Sequence, residues 1–312
     1  MLLSATTSRF LKVVASSSDG LKLFAVGQNT LYISTDSGTT WIGTTSIQSP
    51  PWDSIVSITS SSDGSKLVAV SSYEGIYVST NGGSSWTQSY YSSSLGVDGP
   101  QPITSSSDGA VIAVCGGFGV RLSVNGGSSW KTTSLPEVGL LCLSITSSSD
   151  GSRLLLGGSA SGLGVIYSST DGGALWNKTF KANDSLTIAA SSDGMKLVVA
   201  GYGAMYTSSD GGATWNQTLQ ECTFFITTPL TSSSDGSKLA VWANDKITGQ
   251  PGIYTSTDSG ATWTRTSFSA QYVNAMISSS DGSMLAAVQI QWSVGGFLPV
   301  SIDGGVNWRV AL

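Results

Sequence analysis

The chain has 312 residues, of which 11% are charged and 40% hydrophobic, and its formal net charge is -5. An acidic balance without a Lys/Arg cluster offers no electrostatic footprint for a nucleic-acid backbone. No apolar run reaches the ~18 residues of a spanning helix, so neither nucleic acid nor membrane insertion is expected, and the Ser, Thr and Gly content suits short strands and tight turns rather than disorder.

In chain order, the opening MLLSATTSRFLKVV lacks the basic start and long apolar centre of a signal peptide, and its LLSATTS portion has the register of a strand. A Ser-Ser-Asp-Gly turn at Asp19 follows, then an apolar run, then the phrase STDSGTTW ending at Trp41. The alternation recurs six more times, with Asp63 and Trp86, Asp108 and Trp130, Asp150 and Trp176, Asp193 and Trp215, Asp235 and Trp263, and Asp281 and Trp308. Successive tryptophans stand 45, 44, 46, 39, 48 and 45 residues apart. Each unit holds four segments of strand length, such as LTIAASS, KLVVAG, AMYTSSD and WNQTL, and none has helical periodicity. Four strands in a period of this size predict one propeller blade per repeat, because a lone sheet cannot bury both faces and must stack on its neighbours. The expected fold is all-β: a seven-bladed β-propeller with four antiparallel strands per blade, spanning 1–312 as a single domain or excised from a longer repeat protein, and monomeric in isolation. WRVAL at the C-terminus has the register of the last fourth strand, so LLSATTS adds to or competes for that edge, and pairing of the termini in one blade is the expected ring closure.

Both recurring phrases have a turn chemistry. Asp-Gly between apolar runs suits a two-residue hairpin, here between the first and second strands. The longer phrase joins the third and fourth strands. Its Asp36, Asn81, Asn125, Asp171, Asp210, Asp258 and Asp303 tie down the hairpin, and Trp41, Trp86, Trp130, Trp176, Trp215, Trp263 and Trp308 fold over it. The phrase S-x-D/N-x-G-x-x-W resembles the Asp-box, or BNR repeat, of sialidase-like propellers, the sortilin luminal domain, some xyloglucan-degrading glycosidases and the photosystem II stability and assembly factor. The resemblance covers essentially the whole chain. It implies a structural hairpin on the blade periphery, away from the face that is catalytic in relatives, and so identifies a fold rather than an activity.

Loop lengths locate function. From each Ser-Ser-Asp-Gly aspartate to the next phrase's Asp or Asn the intervals are 17, 18, 17, 21, 17, 23 and 22, and from each Trp to the next such aspartate they run from 17 to 22. The extra residues fall between second and third strands and between one blade and the next, connections that emerge on one face of the disc, where insertions usually serve binding. The expected contacts lie at 44–53, 71–75, 89–101, 242–252 and 289–296. This face is expected to be acidic, carrying Asp53, Glu74, Asp98, Glu137, Asp184, Glu221 and Asp245 against Arg9, Lys181 and Lys246. Its expected exposed aromatics are Trp52, Tyr73, Tyr90, Tyr91, Phe118, Tyr202 and Trp292, whereas Trp242 reads as strand packing. On the invariant face Lys22, Lys66, Arg153, Lys196 and Lys238 read as solubilising charges.

The chemistry available is narrow. With no histidine, Ser-His-Asp and His-based metal chemistry are excluded. A sialidase needs three converging arginines, and of the five here only Arg9 falls near the variable face. A carboxylate pair for glycoside hydrolysis could come only from loop acids such as Glu74, Glu137 and Glu221, which the blades spread around a wide ring. The photosystem relatives imply a chaperone-like role through a basic, arginine-rich patch that this chain lacks. Cys115, Cys142 and Cys222 sit in apolar segments and read as buried thiols. The triplets at Asn177, Asn183 and Asn216 are sequons of a kind that a Ser/Thr-rich chain generates by chance. The functional expectation is a non-catalytic scaffold binding a protein or glycan on the variable face, with no cofactor, Ca2+ on acidic loops being the one ion considered. The compartment is open, a secreted or cell-surface setting being favoured.

Overall fold

The computed structural model describes residues 11–27, 29–44, 50–73, 75–91, 101–116, 119–133, 135–137, 139–201, 203–218, 222–223, 228–269, 271–291 and 295–312. Blade 1 comprises β1 (Val13–Ser16), β2 (Leu23–Gly27), β3 (Thr30–Ser34) and β4 (Ile42–Thr44). A 3-10 turn (Trp52–Ser54) leads into blade 2, with β5 (Ile55–Ser60), β6 (Leu67–Ser71), β7 (Gly75–Ser79) and β8 (Thr87–Tyr90). Blade 3 holds β9 (Ile103–Ser105), β10 (Ile112–Gly116), β11 (Gly119–Ser123) and β12 (Lys131–Thr133). In blade 4 these positions are β13 (Leu141–Ser147), β14 (Leu154–Ala160), β15 (Leu163–Ser169) and β16 (Asn177–Ala182). β17 (Leu186–Ala190), β18 (Leu197–Gly201), β19 (Ala204–Ser208) and β20 (Asn216–Gln217) make blade 5. Blade 6 has a divided inner strand, β21 (Cys222–Thr223) and β22 (Leu230–Ser232), followed by β23 (Leu239–Asp245), β24 (Pro251–Ser256) and β25 (Thr264–Arg265). Blade 7 divides its third strand instead: β26 (Val273–Ser278), β27 (Leu285–Gln291), β28 (Gly295–Phe297), β29 (Pro299–Ser301) and β30 (Arg309–Val310). The fold is thus a seven-bladed, all-β propeller of antiparallel strands.

Burial follows strand position. The second strands β2, β6, β10 and β18 are buried end to end, since neighbouring blades cover both their faces, which explains their continuous apolar runs. The outer strands carry polar residues to solvent. Seven apolar clusters occupy the seven blade interfaces, and each contains one phrase tryptophan wedged against the preceding blade. Trp86, for example, packs with Phe24, Leu31 and Trp52 between blades 1 and 2. The phrase itself is a hydrogen-bonded knot. In the first repeat Ser34 Oγ donates to Asp36 Oδ1 at 2.8 Å and accepts from the Gly38 amide at 2.8 Å, while Asp36 also takes the Thr40 amide at 2.8 Å. Gly38 has φ +81, which a side chain resists, and its carbonyl receives Trp41 Nε1 at 3.1 Å. In the Asn versions the amide nitrogen adds a bond to a downstream hydroxyl, as Asn81 Nδ2 does to Ser85 Oγ at 2.8 Å.

The LLSATTS stretch expected to add to or compete for the blade 7 edge lies outside the described residues, among which blade 7 is built from β26 to β30. The ring is also tied at the turns: the second serines of the seven Ser-Ser-Asp-Gly turns form a closed belt, each amide donating to the next blade's carbonyl at 2.6 to 2.8 Å, from Ser18 to Ser62 and finally from Ser280 back to Ser18. Asn274 Nδ2 donating to the Lys12 carbonyl at 2.7 Å closes the blade 7 to blade 1 seam at the other end of the inner strands, and Arg309 donating to the Ser37 carbonyl at 2.9 Å closes it further out. The cysteine expectation is corrected. Cys115 in β10 and Cys142 in β13 are joined by a disulfide between blades 3 and 4, with Cα atoms 6.0 Å apart. They lie 27 residues apart in sequence but face each other once the blades stack.

Candidate functional site at the variable mouth of the central channel

The first strands line a channel whose ends contrast. At the invariant end a depression of about 220 Å³ is lined by twenty serines and Ala190. Its turns are self-contained: Ser61 Oγ and the Ser65 amide donate to Asp63 Oδ1 at 2.6 and 2.9 Å, and these bonds, the serine hydroxyl first, hold the carboxyl at about 2. Three of the lysines expected to be merely solubilising cross to the next blade. Lys22, Lys66 and Lys238 each donate Nζ to the carbonyl of Asp63, Asp108 and Asp281 at 2.8 Å, because an ammonium two to three residues past the turn reaches the neighbouring turn.

The other end is irregular. A cavity of about 450 Å³ opens there among the starts of the inner strands. Pairing slips between Ile55 and Ser57, between Cys142 and Ser144, and between Val273 and Ala275, so Val56, Leu143 and Asn274 are bulged residues. All three line the mouth. In blades 3 and 6, Pro102 and Pro229, which lack an amide hydrogen, precede inner strands of only three residues and line it too. Bulges of this kind re-aim side chains and concentrate at functional rims. The lining is aliphatic with hydroxyl and amide groups, and it includes no charged side chain. Val56 is 37% exposed there.

In the blades with long second-to-third intervals the second strands themselves run further. β14, β23 and β27 have seven residues where β2, β6, β10 and β18 have five. At the tip of β23–β24, Asp245 accepts the Ile247 and Thr248 amides at 3.0 and 2.7 Å, which holds its carboxyl below the usual range and leaves Ile247 88% exposed.

The structure sorts the residues singled out by sequence. Trp52 is not an exposed platform: it is 3% exposed, edge-on to Trp86 at 5.4 Å, and plugs the interface of blades 1 and 2. Tyr90 is half-buried against Trp130 at 6.5 Å with the Arg121 guanidinium 4.5 Å from its ring centre, so it too is engaged in packing. Tyr73 and Tyr91 are exposed, at 60% and 69%, on one corner of blade 2, where the Gly75 backbone abuts that of Tyr90 and Tyr91. Asp53 is exposed and accepts the Asn29 amide at 3.2 Å. Glu137 is ion-paired with Lys178, which first, and the Tyr167 hydroxyl second, keeps its carboxyl low; burial, then Glu137, pushes the Tyr167 hydroxyl up to about 12. Trp242 is buried in its strand as expected. Glu74, Asp98, Phe118, Tyr202, Glu221 and Trp292 lie outside the described residues, as does Arg9. Among the described residues no three acidic or cysteine side chains gather as metal ligands.

Two features escaped the sequence reading. Lys12 belongs to the variable face, where its ammonium contacts the Asp53 carbonyl, so that face is less one-sidedly acidic than expected. The third residue after each phrase tryptophan is Ser or Thr in six of seven repeats, and it meets the next blade: Trp130 Nε1 donates to Ser89 Oγ at 2.8 Å and Trp176 Nε1 to Thr133 Oγ1 at 3.4 Å. Aligning the repeats on tryptophan would have revealed it.

The chain matches no protein-family model and no curated protein sequence. Among solved structures it is similar to a GH74 enzyme of Niastella koreensis, with 15% identity, TM-score 0.53, and 96% of this chain covered against 65% of that one. It thus spans about two thirds of that glycosidase's length. YCF48 from Cyanidioschyzon merolae is similar over 97% of this chain and 98% of its own, with 14% identity and TM-score 0.67. A structure of YCF48 bound to D1 peptide gives 16% identity, TM-score 0.60, and coverage of 99% and 96%. At these identities the likeness establishes the propeller fold.

Proposed function

We propose that this propeller is a non-catalytic recognition scaffold that takes a protein or glycan ligand on its variable face, with the irregular channel mouth as the anchor. The observation that carries the reading is the asymmetry of the channel: seven near-identical turns ring one end, while bulges or prolines in five of seven blades break the inner strands at the other. An uncharged aliphatic mouth with amide and hydroxyl groups at its rim fits a branched apolar side chain of a protein loop better than a sugar ring, which wants aromatic platforms and charged partners. A peptide-bound YCF48 structure on a similar fold supports the same class of ligand.

Glycoside hydrolysis is the competing reading, suggested by the glycosidase neighbour. It needs an acid with a raised pKa within ~5 to 10 Å of a second carboxylate, whereas Glu137 and Asp245 are both held low by structural partners. Peptide and glycan arrays probed with the full chain test the proposal. Val56→Glu at the mouth should abolish the strongest binding, and Leu21→Glu, an exposed site on the invariant face, should leave it intact; the reverse pattern refutes the assignment. Polysaccharide cleavage lost in Glu74, Glu137 or Glu221 variants would establish the hydrolase instead.

A further inference from the structure

Blades 4 and 5 share a feature the other five lack. The residue directly after the phrase tryptophan is Asn177 in one and Asn216 in the other, and the hydroxyl two positions on is supplied by the repeat itself, as Thr179 and Thr218. Both asparagines open the outermost strand of their blade, opposite Ser168 and Thr207, and both are exposed. The two threonine hydroxyls are buried without a hydrogen-bond partner, as is Thr266 at the same repeat position of blade 6, whereas Ser89 and Thr133 there accept an indole N–H, so replacing either threonine hydroxyl breaks no hydrogen bond of the fold. Independently, the buried Cys115–Cys142 bridge belongs to an oxidising compartment. We propose that the chain traverses a secretory pathway and is N-glycosylated at Asn177 and Asn216.

The transfer balances without a redox partner. The asparagine Nδ2 forms a bond to C1 of a lipid-pyrophosphate-linked oligosaccharide, the C1–O bond to pyrophosphate breaks, the lipid pyrophosphate leaves with the electron pair, and the transferase removes the amide proton. The products sit on the unpaired rims of β16 and β20, where a bulky hydrophilic group blocks edge-to-edge pairing and leaves the channel mouth clear. The third sequon, Asn183-Asp184-Ser185, is exposed but carries a carboxylate beside the acceptor, and serves as the comparison site.

The test routes the full chain through a eukaryotic secretory host and reads intact mass before and after an amidase that removes N-glycans and leaves aspartate. Two glycans are expected, with aspartate appearing at 177 and 216. Thr179→Val and Thr218→Val should each remove one glycan without moving the thermal midpoint, because the hydroxyls they replace are unpaired; Asn177→Gln and Asn216→Gln give the same loss through the acceptor. A secreted, bridged chain bare at both positions overturns the proposal, as does a glycan that survives Thr179→Val, or secreted chain with Cys115 and Cys142 reduced.

Discussion

If the phrase tryptophans hold blades to one another rather than merely capping their own hairpins, truncating Trp86 should loosen the ring itself. Trp86 is 6% exposed, lies edge-on to Trp52 and donates Nε1 to the Gly83 carbonyl at 3.1 Å. Trp86→Ala removes an indole from the interface of blades 1 and 2, with a cost of ~3–5 kcal/mol for the lost burial and the cavity. For a domain this large, ~2 °C of melting temperature per kcal/mol gives a drop of roughly 6 to 10 °C. Trp86→Phe keeps a ring against Phe24 and Trp52 and loses mainly the indole bond, about 1 kcal/mol. Thermal unfolding followed by near-ultraviolet circular dichroism and by calorimetry separates the two. A Trp86→Ala midpoint within ~2 °C of the parent, or equal effects of the two substitutions, refutes the interface role.

Acid should act through the turns. Asp36, Asp63, Asp150 and Asp281 are held at about 2, against an ordinary 3.8, chiefly by serine and threonine hydroxyls. Since the folded values lie below the unfolded ones, their stabilisation is complete above about pH 4 and is lost as pH falls toward 2; melting temperatures from a pH series should stay level down to about 4 and then decline, and a decline already at pH 6 contradicts the assignment. The shelf hydroxyls should divide by partner. Ser89→Ala strands the Trp130 indole and should cost ~1–3 kcal/mol, whereas Thr266→Val removes a buried unpaired hydroxyl and should be neutral or stabilising in denaturant titrations. Calcium should leave the melting temperature unchanged, and a saturable rise would contradict that expectation.

What the sequence disclosed was whatever repeats. The seven turns and the four-strand blade are each written within one unit, and they appear in the structure where the intervals place them. What it concealed depends on neighbours. Trp52 reads as a loop aromatic until blade stacking brings Trp86, 34 residues later, against its edge. Lys22 reads as a surface charge until the Asp63 carbonyl of the next turn arrives beside it. Cys115 and Cys142 read as unrelated thiols because their pairing needs the lateral register of two sheets. The bulges at Val56, Leu143 and Asn274 leave no mark in local pattern, since an extra residue in a short apolar strand alters neither composition nor turn signals.

The division of labour between faces has a thermodynamic basis. In a stack of similar blades, stability is approximately the sum of blade and nearest-neighbour terms, and here the serine belt and the lysine cross-links supply such terms at the invariant end, with the tryptophans at the blade interfaces. Sequence change at the mouth therefore leaves the belt and the cross-links untouched, Asn274, which also ties blade 7 to Lys12, being the exception. The inner strands can tolerate three bulges and two prolines at one end because the other end fixes their positions seven times over. Val56, partly exposed in that rim, is the apolar surface that the proposed ligand would cover.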